Sequence, residues 1–208
     1  LPFEQHRDIF YLSGVDQEES VLMINPYDED PRMREVLFLK ETNAHIAVWE
    51  GPKLDKESAF ETSGISTVYW LTEMESIIEK VMKKCDNLYI NRNEHYRAKT
   101  ETETREERFN KWIENKYSDK NILRSNPILQ HLRSIKEEIE LELIQKACSI
   151  TEKGFRRVLK FVKEGVWEYE IEAEFIHEFI RNRSKKFAYT PIIASGNNAN
   201  ILHYIENN

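Results

Sequence analysis

The run Tyr189-Thr-Pro-Ile-Ile-Ala-Ser-Gly-Asn-Asn-Ala-Asn-Ile-Leu-His-Tyr-Ile-Glu-Asn207 constrains the fold more than any other part of the chain. Two apolar, largely β-branched stretches, residues 191–194 and 201–205, flank a turn of Ser195, Gly196, Asn197 and Asn198. This is the pattern of a hairpin. Strand alternation would place Ile201, His203 and Ile205 on one face and Leu202 and Tyr204 on the other. A histidine fixed between two apolar neighbours has the restricted geometry that a catalytic or ligand-binding group needs. The same pattern also suits a histidine used only for core or edge packing.

The text before that run is helical. Ile135, Ile139, Leu143, Ala147 and Ile150 recur at the spacing of a single apolar stripe on one long helix. Glu137, Glu138, Glu140 and Glu142 gather at its N-terminal end, where the helix dipole favours negative charge. Phe155, Val158, Leu159 and Val162 continue the apolar positions. A further helix is expected over 168–183, with Ile171, Phe175, Ile176, Phe179 and Ile180 on one side. Glu170, Glu174, His177, Glu178 and Arg181 would form its solvated face.

The first half of the chain alternates differently. Residues 9–12, 21–24, 36–39, 45–48 and 87–91 have strand character, punctuated by Asn25-Pro26, Asp30-Pro31 and Gly51-Pro52. Thr72 and Glu75 have capping-box spacing, and Ile77, Ile78, Val81 and Met82 follow on one helical face. The apolar-poor stretch from Glu94 to Arg108 reads as a solvated loop leading into a helix with Phe109, Trp112 and Ile113. Pro127 opens the helical block, so the sequence predicts one domain over residues 1–126 and another over 127–208. Strands with intervening helices predict an α/β first domain with a mixed sheet.

Composition removes several function classes. The net charge of −7, spread along the chain, opposes a nucleic-acid-binding surface. No apolar run approaches the roughly 18 residues of a membrane span, and no signal-peptide pattern opens the chain. Cys85 and Cys148 are far apart and lack metal-ligand spacing, which implies free thiols and a reducing, cytoplasmic setting. Cys148, on an apolar helix edge, reads as a packing residue. Trp49, a lone aromatic before a Gly-Pro turn, reads as core or rim packing.

Glu174-x-x-His177 has the spacing of a carboxylate-bridged metal motif, but a buried metal site needs inward-facing ligands and a second such motif. Both are lacking in the pattern. His6-x-Asp8 is too sparse to form a site. No Gly-rich phosphate loop and no convincing Ser-His-Asp set occurs.

The 189–207 run, with its Ile-Leu-His-Tyr-x-Glu-Asn ending, resembles the first hairpin of the catalytic domain of Xaa-Pro aminopeptidases (aminopeptidase P). These are pita-bread metallopeptidases, a group that includes prolidase, creatinase and methionine aminopeptidase. Other segments carry the same resemblance. Phe3-Glu-Gln-His-Arg-Asp-Ile-Phe-Tyr-Leu-Ser-Gly14 and the residues through Met23 resemble the start of that family's non-catalytic N-terminal domain. Ile46-Ala-Val-Trp49-Glu-Gly51 resembles its Trp-x-Gly strand end. Leu132-Arg-Ser-Ile-Lys136-Glu-Glu-Ile-Glu140 resembles the lead-in to the first catalytic-domain helix.

The resemblance implies a mixed-sheet α/β N-terminal domain of creatinase/prolidase type, followed by an incomplete α+β pita-bread domain. It implies a metal-dependent aminopeptidase that releases the first residue from peptides with proline second. His203 would bind substrate and stabilise the tetrahedral intermediate or relay a proton. Tyr189 would lie in the substrate pocket or behind the metal ligands. In oligomeric relatives, the tryptophan matching Trp49 approaches a neighbouring subunit's active site, which implies a homo-oligomer. The cofactor would be two divalent ions of the Mn²⁺ type. The family's ligands (two Asp, one His, two Glu) all come later in such enzymes, so this chain resembles part of one. On its own it is expected neither to bind the metal pair tightly nor to hydrolyse peptides. Prolidase-type dipeptidase activity and a non-catalytic oligomerisation or binding module are the competing readings.

Overall fold

The computed structural model describes residues 3–95, 101–184 and 187–208, in two compact units, residues 1–132 and 133–208. Within the first unit the element order is α1 (Arg7–Ser13), β1 (Val21–Ile24), β2 (Glu35–Leu39), α2 (Ala44–Glu50), α3 (Lys56–Ser63), β3 (Thr67–Trp70), α4 (Leu71–Met82), β4 (Asn87–Ile90), α5 (Arg105–Lys116) and β5 (Asn121–Arg124). The helix α6 (Asn126–Ser134) follows.

The sheet is mixed. β2 lies at its centre, antiparallel to β1 through Val21↔Phe38 and parallel to β3 through Val36↔Thr67. A central strand covered on both faces needs apolar residues at successive positions, and Val36-Leu37-Phe38-Leu39 supplies them, all fully buried. Leu37 and Leu39 pack with Val15, Ala59, Ile65 and Val68 on one side. Val36 and Phe38 pack with Ile77 on the other. The helix α4 serves two clusters, because Ile78 and Met82 turn towards Ile90, Ile113 and Tyr117. Its position brings the second, parallel pair β4–β5 into the same unit, with Asn87↔Asn121 in register.

Two stretches expected as strands are helices. Residues 9–12 lie in α1, where His6 Nδ1 accepts from the Asp8 N–H at 3.3 Å. Gly14 ends α1 at φ 69°, a left-handed cap in which glycine avoids a Cβ clash. Residues 45–48 lie in α2, where Asn43 Oδ1 accepts from Ile46 N–H at 2.9 Å. In both places local caps and the lack of a neighbouring strand override β-branched side chains. The cap of α4 is also displaced: Glu73, rather than Glu75, accepts a backbone N–H, that of Trp70. Part of the expected loop 94–108 lies outside the described residues. At its end α5 begins at Arg105, capped by Thr104 with Glu107 reaching back.

In the second unit, α7 (Glu138–Phe161) and α8 (Glu168–Arg181) pack as a pair. The apolar stripe of α7 starts later than its sequence period predicts. Glu140 accepts from the Glu137 N–H and sets the helix start, leaving Ile135 outside it. Ile139 and Leu143 are exposed, and Cys148 is exposed rather than packed. The covered surface lies further along, at Gly154. A Cβ built there would come within 2.9 Å of Phe175 Cδ1 and 3.1 Å of Phe179 Cε1. Phe155 meets Phe175 edge-on at 5.1 Å between ring centres.

That contact gives a prediction opposite in sign to helix propensity. Alanine for glycine inside a helix usually gains about 1 kcal/mol. Here Gly154→Ala is expected to lose about 1–3 kcal/mol, because the methyl must displace two phenylalanine rings. Urea unfolding monitored through the helices checks this, and a more stable variant would contradict the packing described.

The supposed solvated face of α8 is only partly solvated. Glu174 and Glu178 face α7, where Arg157 pairs with both. His177 remains exposed. Among the described residues no helix is long and apolar enough to cross a membrane.

Candidate functional site

The segment after α8 does not form the expected hairpin. Residues 191–195 belong to no strand, Gly196–Asn200 is a 3₁₀ turn, and residues 201–208 contain no strand. Two short runs alone make a marginal hairpin in water. Here side chains from α8 and from the segment itself take over the backbone groups that a strand partner would have used. Asn207 Oδ1 accepts from Ile193 N–H at 3.0 Å, and its amide donates to the Pro191 carbonyl at 3.3 Å. The same amide donates to Glu172 Oε2 at 2.8 Å.

The other anchor is Glu168, in the first turn of α8 and 2% exposed. Its Oε1 accepts from Ser195 N–H at 2.6 Å, Ser195 Oγ at 3.0 Å and Asn198 Nδ2 at 3.2 Å. Asn198 Nδ2 also donates to the Tyr204 hydroxyl at 3.0 Å, and that oxygen accepts from Asn208 N–H at 2.9 Å. Burial alone would raise the Glu168 carboxyl above its ordinary value. Hydrogen bonds from Tyr204, Ser195 and Asn198 outweigh that effect and hold it below. Donation from the Asn208 N–H pulls the Tyr204 phenol down, but burial and the neighbouring Glu168 carboxylate together outweigh it and push the phenol up.

Two of the candidate residues, His203 and Tyr189, lie on the segment that follows α8. His203 is exposed and adopts φ 60°, so it does not share a strand face with Ile201 and Ile205. Leu202 and Tyr204 also part company, Leu202 being exposed and Tyr204 buried. Tyr189 is 77% exposed. No side-chain hydrogen bond of Tyr189 or His203 is among those described, so the segment presents them to solvent rather than to each other. Trp49 belongs to the first unit. It lies in the last turn of α2 and is 80% exposed beside an exposed Val48, not packed into a core or rim as an isolated aromatic usually is. Of the residues that build the frame, Glu168 and Glu172 carried no signal in the sequence, and Tyr204 and Asn207 stood there only as parts of the 189–207 run. Ser195 and Asn198 appeared there only as turn formers, and nothing in linear spacing ties them to a glutamate 27 and 30 residues earlier.

A pair of divalent ions would need several converging carboxylate or imidazole donors. Among the described residues no group of three or more His, Cys, Asp or Glu could hold one. Glu174, the carboxylate of the Glu-x-x-His spacing, is already paired with Arg157. The residues present therefore do not fit the metal pair. Calorimetric titration of this chain with Mn²⁺ is expected to show no stoichiometric pair of tight sites, and finding such a pair would contradict this donor inventory.

Comparison with known proteins agrees with the order of the two units. The family model "Aminopeptidase P, N-terminal domain" matches residues 1–89, and "Metallopeptidase family M24" matches residues 142–208. The chain is 28% identical to the Xaa-Pro aminopeptidase of Haemophilus influenzae over 99% of its own length and 45% of that protein's. It is 27% identical to that of Escherichia coli, over 99% of this chain and 47% of the relative. An aminopeptidase P candidate from Bacillus anthracis superposes with a TM-score of 0.89 at 29% identity, over 100% of this chain and 49% of that one. The chain thus spans about half the length of the relatives it matches. A mixed-sheet domain that matches the first family, followed by a helical unit that matches the second, supports reading this chain as the N-terminal domain and the first part of the pita-bread domain of an aminopeptidase P.

Proposed function

We propose that this chain belongs to a metal-dependent aminopeptidase that releases the N-terminal residue from peptides with proline in second position. The observation that carries the reading is the succession, on one chain, of an aminopeptidase P N-terminal domain and an M24 segment. Relatives similar along nearly the whole chain are Xaa-Pro aminopeptidases. In this reading residues 1–126 are the N-terminal domain and residues 127–208 open the catalytic domain.

His203 is the residue we assign to the substrate, as a hydrogen-bond donor to charge that grows in the transition state. Its exposed imidazole on a tethered segment supports the assignment. Tyr189 is assigned to the substrate pocket of the complete enzyme or to the shell behind its metal ligands. The metal pair, of the Mn²⁺ type, would supply electrostatic activation in the complete enzyme. Since the described residues do not provide its donors, no step here runs through it. Trp49, with Val48, would contact a neighbouring subunit of a homo-oligomer, and the exposure of both supports that role. Two unpaired cysteines suit a cytoplasmic setting.

The test is hydrolysis by the enzyme carrying the complete M24 domain, supplied with Mn²⁺, on matched tripeptides with proline or alanine second. Release of the first residue from the proline peptide alone is expected. Cleavage of a Xaa-Pro dipeptide but no longer peptide would turn the assignment to a prolidase. Equal cleavage of both tripeptides would overturn proline specificity, and no cleavage would leave a binding module.

A further inference from the structure

Helix α8 meets the last segment of the chain with two carboxylates one turn apart. Glu168 holds Ser195 and Asn198, which precede His203, and Asn198 in turn donates to the hydroxyl of Tyr204, which follows it. Glu172 holds Asn207. Asn207 in turn holds Ile193 and Pro191, which closes the segment into a loop fastened on both sides of the histidine. Glu168 and Asn207 are buried polar residues of this arrangement, and the ring of Tyr204 is buried beside them with its hydroxyl bonded. A buried carboxylate is costly unless its oxygens are bonded, and those of Glu168 are.

The backbone carries a second sign of constraint. His203 sits at φ 60° and Asn207 at φ 51°, the left-handed region. Non-glycine residues persist there when their surroundings over-determine them, and such positions gather where geometry serves function. His203 itself makes none of the tethering bonds described. Its conformation is imposed by its neighbours.

We infer that Glu168 is a positioning residue for His203, its buried carboxylate fixing the 195–208 loop so that the imidazole is presented in one orientation. Glu172 acts as the second anchor through Asn207. The inference rests on the proposed role of His203 and extends it to a residue one step behind the reacting groups. A binding group displaced by about 1 Å can cost up to about 10²-fold in rate, so a loosened loop acts on turnover. The titratable groups facing the network are Tyr204, Glu172 and Glu206.

The experiment compares wild type, Glu168→Gln and Asn198→Ala of this chain by NMR. The readouts are amide exchange at Ser195 and Asn208 and the imidazole resonances of His203. Glu168→Gln keeps the shape but puts a donor where Asn198 already donates. It is expected to speed exchange at both amides and collapse the His203 signals towards an averaged environment, with helix content unchanged by circular dichroism. Asn198→Ala removes one donor, keeps the carboxylate and should fall between. If Glu168→Gln fails to fold, Asn198→Ala decides by the same readouts. Wild type should show the same loosening as pH falls through the lowered Glu168 value, a step absent from Glu168→Gln. In the complete enzyme Glu168→Gln should lower kcat by about 10- to 100-fold with KM changed little. Unchanged Ser195 protection and unchanged His203 resonances would overturn the inference. A loosened loop with full kcat in both Glu168→Gln and His203→Ala would instead overturn the role of His203 on which it rests.

Discussion

Phe38→Ala is expected to destabilise the first unit by about 3–5 kcal/mol, the range for deleting a fully buried phenylalanine from a core. Phe38 lies on the central strand β2, is fully buried, and stacks on Tyr69 with ring centres 6.2 Å apart. Its neighbours Val36 and Ile77 are fixed by β2 and α4, so the space left by the ring cannot close by a small shift. For a unit of this size that loss corresponds to a fall in Tm of about 10–20 °C. Tyr27→Ala is the matched control. Tyr27 is 94% exposed, and substitutions of that kind stay within about 0.5 kcal/mol. Thermal unfolding of both variants checks the prediction, and similar midpoints would mean that β2 does not organise the core.

The same strand shows why part of the fold was legible in the sequence. Val36 to Leu39 form an unbroken apolar run, and only a strand covered on both faces uses such a run. The face of α4 bearing Ile77, Ile78, Val81 and Met82 was equally plain from its 3.6-residue period. What failed was decided by capping and by partners. Residues 9–12 and 45–48 have strand-like side chains, yet His6 and Asn43 cap helices there. β3 and β5 are short strands whose identity comes from the parallel neighbours they pair with, a long-range fact that composition does not carry.

The form of the site was obscure in the sequence. The 189–207 run pointed to His203 through a family resemblance, and the M24 family model covers the stretch in which that residue lies. Its alternation suggested strand geometry, because Ile201, His203 and Ile205 are two apart. The competing influence is a buried carboxylate. Glu168 binds the Ser195 N–H and Oγ, and Asn207 occupies the Ile193 N–H, so the backbone donors of one would-be strand are already used. Polar side chains that replace a β ladder leave no periodic trace in the sequence. Similarly, the charge pattern of α8 read as solvated, because Arg157, which pairs with Glu174 and Glu178, lies on a different helix.

The functional reading turns on His203. A donor that bonds charge developing only in the transition state lowers the barrier without tightening ground-state binding, so its removal appears in kcat. Loss of one such donor typically costs about 10²–10³ in rate. His177 provides the internal comparison, being an exposed histidine on α8 outside the Glu168 network. The most direct measurement is steady-state hydrolysis of a Xaa-Pro peptide at saturating Mn²⁺ by the complete enzyme, its His203→Ala variant and its His177→Ala variant. The account predicts a fall in kcat of about 10²–10³ for His203→Ala with a much smaller change in KM, and less than about a twofold change for His177→Ala. A His203→Ala enzyme with undiminished kcat, or equal losses in the two variants, would contradict it.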